Sequence, residues 1–442
     1  MINAILDYLK DKKIAILGFG LEGKSTYNFL RRHLPNKLIA IIDQNETLEK
    51  MADKNVEYVL GKNYLDNLND YEVVIKTPGI CLIDKEYKCE IVSQFALLLN
   101  LTKTFVIGVT GTKGKSTTTS LIYEIIKEQK DNVYLVGNIG IPIFDLIDDF
   151  NEESIIVAEM SGHQLYDIKR SPNIGIITNL FEEHLDYFKT LDNYYHSKLN
   201  MFRYQNEDAY GIYLKDNDDL TYNIAKTNIK STLIGLGKDN VKDNKICLED
   251  SEVFDLNIKR NLIGDFNNLN IMMALEVAKL LNLDLEKARQ TIIDFKGLEH
   301  RMSLIATVND ISFYDDTLAT IPAATQNSVL AISNVETLII GGMDRNINYD
   351  SFIDFLANSQ LKNIICQPNT GKYIYEKLIN KCQKNIYYIE DLEEAVNKAF
   401  EITQKNKAVL LSPAAPSYNV FKNYADKSKH YQEYILKHQN KN

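Results

Sequence analysis

The chain has no tryptophan and only five cysteines among its 442 residues. The first absence excludes nothing. The second is informative, because Cys81, Cys89, Cys247, Cys366 and Cys382 are scattered, odd in number and never at C-x-x-C spacing. Neither a zinc site nor a disulfide framework is expected from them, and a reducing cytoplasm is the expected compartment. No apolar run approaches the roughly 20 residues of a membrane span, and residues 1–13 are too charged for a signal peptide, so no membrane partner is expected. A long basic run is also missing. Fifty Lys and Arg against 60 Asp and Glu leave a net charge of -10, which argues against nucleic acid as the partner. It does not argue against an anionic nucleotide, since a local cluster can differ from the net balance. No fixed-period repeat and no low-complexity tract is found, and the last dozen residues read as frayed.

What is present is ordinary globular material, 45% hydrophobic and 25% charged. At roughly 100–200 residues per domain the length suits two to four domains. Short apolar runs alternate with helical patterns, the signature of α/β architecture with parallel sheets flanked by helices. Three groups emerge. Residues 1–100 carry strands over 13–17, 38–42 and 73–75, with a helix over 24–33. Residues 101–297 carry strands over 105–109, 155–158 and 174–177, a helix after the first of them, an irregular polar stretch over 204–260, and a helix over 268–281. Residues 298–442 carry strands over 337–340, 363–365 and 408–411.

The strongest local signal is Thr110-Gly111-Thr112-Lys113-Gly114-Lys115-Ser116-Thr117, set between a strand and a helix. Glycines there let backbone N–H groups curl around phosphate oxygens, and the helix N-terminus favours negative charge. Lys115 can reach the terminal phosphates and Ser116 or Thr117 can ligate Mg²⁺. The strict spacing asks for glycine where Val109 stands, so the loop is a variant; its bland alternative is a polar turn. A second turn, Gly18-Phe19-Gly20-Leu21-Glu22-Gly23, follows the first strand, and Asp43 closes the second. By motif alone this is a dinucleotide site, but any nucleotide diphosphate, or mere helix–strand packing, would use the same turn. Glu159, Asn179, His184 and Lys198 follow strand ends of the second group, where carboxylate and imidazole near a phosphate loop suit Mg²⁺ handling. Taken singly, each would be a surface charge or a helix cap.

In combination these residues resemble the Mur ligases. Gly111 to Thr117, Gly137-Asn138-Ile139-Gly140, Asn179 to Asp186, Lys198, Gly264-Asp265-Phe266-Asn267, His300-Arg301 and Asp315-Asp316 follow in that family's order, over essentially the whole chain. Ser412 to Tyr424, and more loosely Ser161 to Leu165, are similar to the glutamate-adding members. The resemblance implies three domains: a Rossmann-like domain for a uridine-nucleotide substrate (1–100), a central ATPase domain (101–297) and a Rossmann-like domain for the amino acid (298–442). It implies an ATP-dependent, ADP-forming ligase of peptidoglycan synthesis acting on UDP-N-acetylmuramoyl-L-alanine and glutamate, D-glutamate first, as a monomer. It reassigns Gly18, Gly20, Leu21, Glu22, Asp43, Thr77 and Gly79 to the uridine nucleotide, and adds Asn138, Ser161 and Gln164 to the substrate set. ATP would meet Gly111, Thr112, Lys113, Gly114, Lys115, Ser116, Thr117, Asn267, Arg301 and Asp316. Ser116 or Thr117 with Glu159 would hold one Mg²⁺, His184 a second, and Lys198 would be carbamylated. Thr320, Arg345, Ser417 and Tyr424 would meet the amino acid.

The departures sit at the amino-acid end. Gly341-Gly342-Met343-Asp344-Arg345 carries arginine where lysine is usual, Leu318 replaces another lysine, and Tyr424 stands for phenylalanine. An L-glutamate-adding variant therefore stays open, as does another ligase of the superfamily such as a folylpolyglutamate synthetase. From other classes, an NAD-dependent oxidoreductase and a non-catalytic nucleotide-binding protein remain to be separated by experiment.

Overall fold

The structure, a computed structural model, describes residues 2–439 apart from Asp84, Gly140, Ile263, Asn346 and Asn419, and apart from the side chain of Asp186. Gly140 and Asn419 of the motifs above, and the Asp186 carboxylate, thus lie outside the described residues. The chain divides into two compact units: Met1–Lys259 with Asn268–Ile293, and Arg260–Asn267 with Asp294–Asn442.

The first unit contains two parallel sheets. One is built from β1 (Ile14–Leu17), β2 (Ile39–Asp43), β3 (Val56–Leu60), β4 (Val73–Lys76) and β5 (Glu90–Val92), in the order β3-β2-β1-β4-β5. The other comprises β6 (Phe105–Thr110), β7 (Val133–Gly137), β8 (Ile155–Glu159), β9 (Ile174–Ile177), β10 (Tyr210–Leu214) and β11 (Thr232–Leu236), in the order β11-β10-β9-β6-β8-β7. Their inner strands are largely apolar, with β1, β4 and β9 buried throughout, as sheets covered on both faces require; Asp43, Lys76, Thr110 and Glu159 are polar exceptions at strand carboxyl ends. In each sheet the strand order reverses, at β1/β4 and beside β6, and the loops leaving the carboxyl ends there form the crevice in which such sheets bind ligands. A single apolar cluster runs through both sheets; at its centre Phe29 stacks on Phe144 at 4.4 Å.

The stretch over 204–260, expected to be irregular, is more ordered than its polarity suggests. Besides β10 and β11 it holds the helix Asp218–Lys226, capped by the Asn217 side chain. It ends in a small antiparallel sheet of β12 (Val241–Lys242), β13 (Lys245–Leu248) and β14 (Ser251–Asp255). Turns with positive φ at Asp243, Asn244, Glu249 and Asp250 explain why the polar residues are there.

The second unit carries β15 (Ser303–Val308), β16 (Ile311–Asp315), β17 (Val335–Ile340), β18 (Asn363–Cys366), β19 (Asn385–Tyr388) and β20 (Ala408–Leu411). Their order is β15-β16-β20-β17-β18-β19, parallel except for the β15/β16 hairpin. The expectation of a frayed terminus is corrected here. The helix Tyr424–Gln439 inserts Tyr431 and Ile435, both fully buried, into an apolar cluster with Phe313 and Val409. Apart from the buried Lys427, its charged residues are exposed or half-buried, and they hid the apolar pair from a reading of composition. The grouping 1–100, 101–297 and 298–442, one large parallel sheet in each, stands as our proposal for the domains.

Candidate active site

β6 delivers the chain into the glycine-rich loop. Gly111 has φ +142° and Gly114 φ +84°. A Cβ on Gly111 would lie 2.0 Å from Thr178 Oγ1, and one on Gly114 2.7 Å from Asn270 Oδ1, so both positions require glycine. Val109, at the position of the missing glycine, lies inside β6 in register with Glu159 of β8; the loop therefore begins one strand residue later. Its shape is set by the segment leaving β9. Thr112 N–H donates to Asn179 O (3.0 Å), Lys113 N–H to Asn179 Oδ1 (2.8 Å) and Asn179 Nδ2 to Lys113 O (3.0 Å). Thr112 Oγ1 accepts from Phe181 N–H (2.9 Å). Gly114 caps the helix Lys115–Lys127, which turns its N-terminus to the loop, with Ser116 buried and Thr117 half-buried. Lys115 Nζ donates to Thr112 O at 3.0 Å.

A cavity of about 350 Å³ opens here, and it brings together Gly79, Lys115, Asn138, Ser161, His184 and Lys198 from separate parts of the sequence. Also on its wall are Pro78, Gly162, His163, Glu183 and Tyr194, the last three of which sequence reasoning did not single out as site residues. Tyr194 could have been found as the residue one helical turn before Lys198; nothing distinguished His163 within its segment. Lys198 is 2% exposed. Its Nζ donates to Gly111 O at 2.8 Å and lies 4.9 Å from the centre of the Tyr194 ring. Burial, reinforced by the nearby Lys115 charge, holds its pKa well below the ordinary lysine value. Glu159 is 1% exposed; Oε1 accepts from Asn138 Nδ2 at 2.7 Å, while Oε2 is buried with no hydrogen-bond partner, as is Thr110 Oγ1. A buried carboxylate oxygen left open beside a hydroxyl-bearing loop fits a hard divalent cation. Among the described residues no three His, Cys, Asp or Glu side chains cluster to hold a metal by themselves. That suits Mg²⁺, which takes one or two carboxylates and completes its shell with phosphate oxygens and water. His184, half exposed and 3.7 Å from Glu183 Oε2, sits at φ +57° at the start of a one-turn helix.

The Gly18–Gly23 turn packs tightly. A Cβ on Gly18 (φ +90°) would lie 2.2 Å from Thr77 Oγ1, and one on Gly23 2.0 Å from Gly18 O, whereas Gly20 and Gly79 face open space. Leu21 is exposed. Asp43 Oδ2 accepts from Phe19 N–H at 2.7 Å. Glu22 is engaged within the protein: Gln164 Nε2 donates to its Oε1 at 2.9 Å, and burial raises its pKa. Ser161 and Gln164 close a reciprocal capping box on each other.

The remaining expected residues lie on the second unit. Asn267 is buried, and its N–H donates to Gly264 O; Arg301 is exposed. Asp316 is buried, accepts from Ser412 Oγ at 2.6 Å and has its pKa pushed up to about 7, chiefly by burial. Its neighbour Asp315 collects His300 Nδ1 (2.8 Å), Thr317 N–H (2.9 Å) and Ser428 Oγ (2.6 Å). Thr320, Arg345 and Ser417 lie on the loops that follow β16, β17 and β20. These three strands are parallel neighbours in the order β16-β20-β17, so their loops share one edge of the sheet. Arg345 is exposed, Ser417 Oγ is buried without a partner, and the Tyr424 ring packs edge-on to His300 at 5.4 Å. Beneath the Gly341-Gly342 turn, the buried Lys427 Nζ donates to Gly341 O at 3.0 Å.

Comparison with known proteins bears on the family. The family model of the Mur ligase middle domain matches residues 109–278, and that of the Mur ligase glutamate ligase domain matches residues 300–415. A UDP-N-acetylmuramoylalanine--D-glutamate ligase of Acetivibrio thermocellus is 30% identical over 98% of this chain and 98% of its own. One from Clostridium botulinum is 32% identical over 95% of each. In fold, the MurF ligase of Thermotoga maritima, solved in complex with ADP, superposes with a TM-score of 0.61 at 17% identity, covering 98% of this chain and 96% of that one. The UDP-N-acetylmuramate-alanine ligase of the same organism gives 0.58 at 18%, covering 98% and 100%. Identity at this level along the full length, on top of a phosphate loop and a buried lysine in one cavity, establishes that the chain belongs to the Mur ligase family.

Proposed function

We propose that the chain is an ATP-dependent, ADP-forming ligase that joins D-glutamate to UDP-N-acetylmuramoyl-L-alanine, a step of peptidoglycan precursor synthesis. The observation that carries the chemistry is the cavity that gathers Lys115, Asn138, His184 and Lys198 at the N-terminus of the helix Lys115–Lys127. The amino acid and acceptor are those named for the relatives.

In the proposed reaction a carboxylate oxygen of the acceptor's L-alanine attacks the γ-phosphorus of ATP, and the bond to the bridging oxygen breaks. The products are an acyl phosphate and ADP. The glutamate amine, having lost a proton, attacks the acyl carbon; the tetrahedral intermediate collapses, the C–O bond breaks and inorganic phosphate leaves. The protein's part is positioning and neutralising charge. Loop N–H groups and Lys115 hold the phosphates, with Asn267, Arg301 and Asp316 toward ATP. Ser116 or Thr117 with Glu159 would hold one Mg²⁺ and His184 a second; the cation would draw charge from the transferring phosphoryl oxygens. Burial depresses the basicity of Lys198, and the free amine is the form that takes up CO₂; a carbamate there would present an anion to the second cation. Gly18, Gly20, Leu21, Asp43, Thr77 and Gly79 are proposed to hold the uridine nucleotide. Glu22 and Gln164, bonded to each other, would shape that site. Arg345, Thr320 and Ser417 would meet the glutamate carboxylates, a fixed guanidinium making charge-assisted bonds, with Tyr424 beside them.

The test is ADP release by purified enzyme with ATP, Mg²⁺ and UDP-N-acetylmuramoyl-L-alanine against a panel of D- and L-amino acids. D-glutamate is expected to react fastest. Preference for L-glutamate would keep the ligase and change the stereochemistry, an outcome motivated by Leu318 and Arg345. Preference for lysine, diaminopimelate or alanine over both enantiomers would overturn the glutamate assignment.

A further inference from the structure

We propose that the ion pair between the buried Lys76 and the half-buried Asp167 is a positioning element that locks the Thr77-Pro78-Gly79 turn of the first sheet to the phosphate-loop sheet. The proposal rests on the reading above, in which that turn holds the acceptor substrate. Lys76 ends β4 and is the residue before the turn. It is 3% exposed, and its Nζ lies 3.0 Å from Asp167 Oδ2, which belongs to the segment following β8 and its short helix. The same ammonium donates to Ile80 O at 3.2 Å, closing the turn on itself. Three further bonds join the same two regions. Tyr187 OH donates to Ile80 O at 2.9 Å, Cys81 Sγ donates to Tyr187 O at 3.2 Å, and Gln164 Nε2 donates to Glu22 Oε1 at 2.9 Å. Tyr187, from the helix Leu185–Phe188, thus ties the 77–81 turn to the region after β9 and packs its ring on His163 at 4.2 Å, while Gln164 ties the Gly18–Gly23 turn to the segment that contributes Ser161, Gly162 and His163 to the cavity wall. Pro78 and Gly79 reach that same cavity.

Physics favours a geometric role over a stabilising one. An ion pair taken out of water loses most of its Coulomb gain to desolvation, and well-packed apolar residues of similar volume are often as stable. What the pair adds is direction: one ammonium addresses both an acceptor within its own turn and a carboxylate on the other sheet. A misplacement of about 1 Å between reacting groups can cost on the order of 100-fold in rate, and here the groups would be a carboxylate held by one sheet and a γ-phosphate held by the other.

The experiment compares the parent with Lys76→Met/Asp167→Leu, which removes both charges together while Ile80 O keeps its bond from Tyr187. Melting, steady-state kinetics and amide hydrogen exchange are measured. We expect a melting temperature within a few degrees of the parent and an ATP KM within about twofold. We expect kcat/KM for UDP-N-acetylmuramoyl-L-alanine to fall at least tenfold, and exchange over residues 77–83 and 161–167 to accelerate together. Lys76→Arg, which can keep both contacts, should recover most of the loss. Parent-like kcat/KM for the uridine substrate in a folded double variant, or faster exchange in one segment only, would overturn the proposal. Should the double variant fail to fold, Asp167→Asn serves instead, with the same selective fall expected and parent-like kinetics as the refuting result. If the parent itself does not turn over this substrate, the proposed function fails, and the paired exchange response alone decides the lock.

Discussion

Lys198 and Lys115 share one cavity but are expected to behave differently when truncated. Lys115→Ala removes a charge that stabilises the transferring phosphoryl group, so we expect a fall in kcat of about 100-fold or more with unchanged melting; near-parent activity would refute its role. Lys198→Ala should be nearly inactive too, but a short-chain carboxylate added to the assay should restore part of the rate, because the group proposed there, a carbamate, is an anion. Ammonium-type additives should not. A third expectation concerns Asp316, whose carboxyl is pushed up to about 7 by burial. An acid with a raised folded-state pKa contributes stability that is fully present below about pH 4 and is lost as pH rises through about 7. Asp316→Asn should remove that fall, so its melting advantage over the parent should grow by several degrees between pH 5 and pH 8. Lys427, lowered to about 7 by burial, titrates alike in both proteins and cancels. A constant difference across that range would refute the burial argument. At this scale the sequence was legible where chemistry has few alternatives, as with Lys115 at a helix N-terminus and Glu159 at a strand end. It was opaque for His163 and Tyr194, whose place on the cavity wall depends on how two distant segments meet.

Among elements, most inner strands of the three large sheets were readable because a run of Ile, Val, Leu and Ala buried on both faces has no polar side to disguise it; β10 and β16, interrupted by Tyr, Gly or Ser, were not. Short or edge strands such as Val56–Leu60 and Val133–Gly137 were not, since only part of their surface is covered. The C-terminal helix was misread for a related reason. Its mean composition is polar, and only Lys427, Ser428, Tyr431 and Ile435 are buried. A chain ending after residue 430 would lose Tyr431 and Ile435 from the cluster around Phe313, and deleting one such aromatic core side chain typically costs about 3–5 kcal/mol. We expect the truncated protein to lose the cooperative calorimetric transition of the second unit. An unchanged thermogram would show the helix to be dispensable.

For the molecule as a whole, the first turn offered a real ambiguity, since Gly18 to Gly23 with Asp43 fits a dinucleotide as well as a uridine diphosphate. The uridine reading is favoured by the rest of the chain, not by the turn. Calorimetry should show binding of UDP-N-acetylmuramoyl-L-alanine with NAD silent; micromolar NAD binding without a response to the uridine substrate would reverse the assignment. The partition into units also has a consequence for how the protein is made. Residues 260–267 belong with the second unit and 268–293 with the first, so the border falls within the helix Asp265–Leu280. Since a chain leaves the ribosome from its N-terminus, the first unit is incomplete until residue 293 has emerged. The eight residues before its last helices must then wait for partners encoded downstream. No single cut yields both units intact, and a nascent chain stalled near residue 260 would hold the first unit without the helices Asp265–Leu280 and Leu285–Asp294.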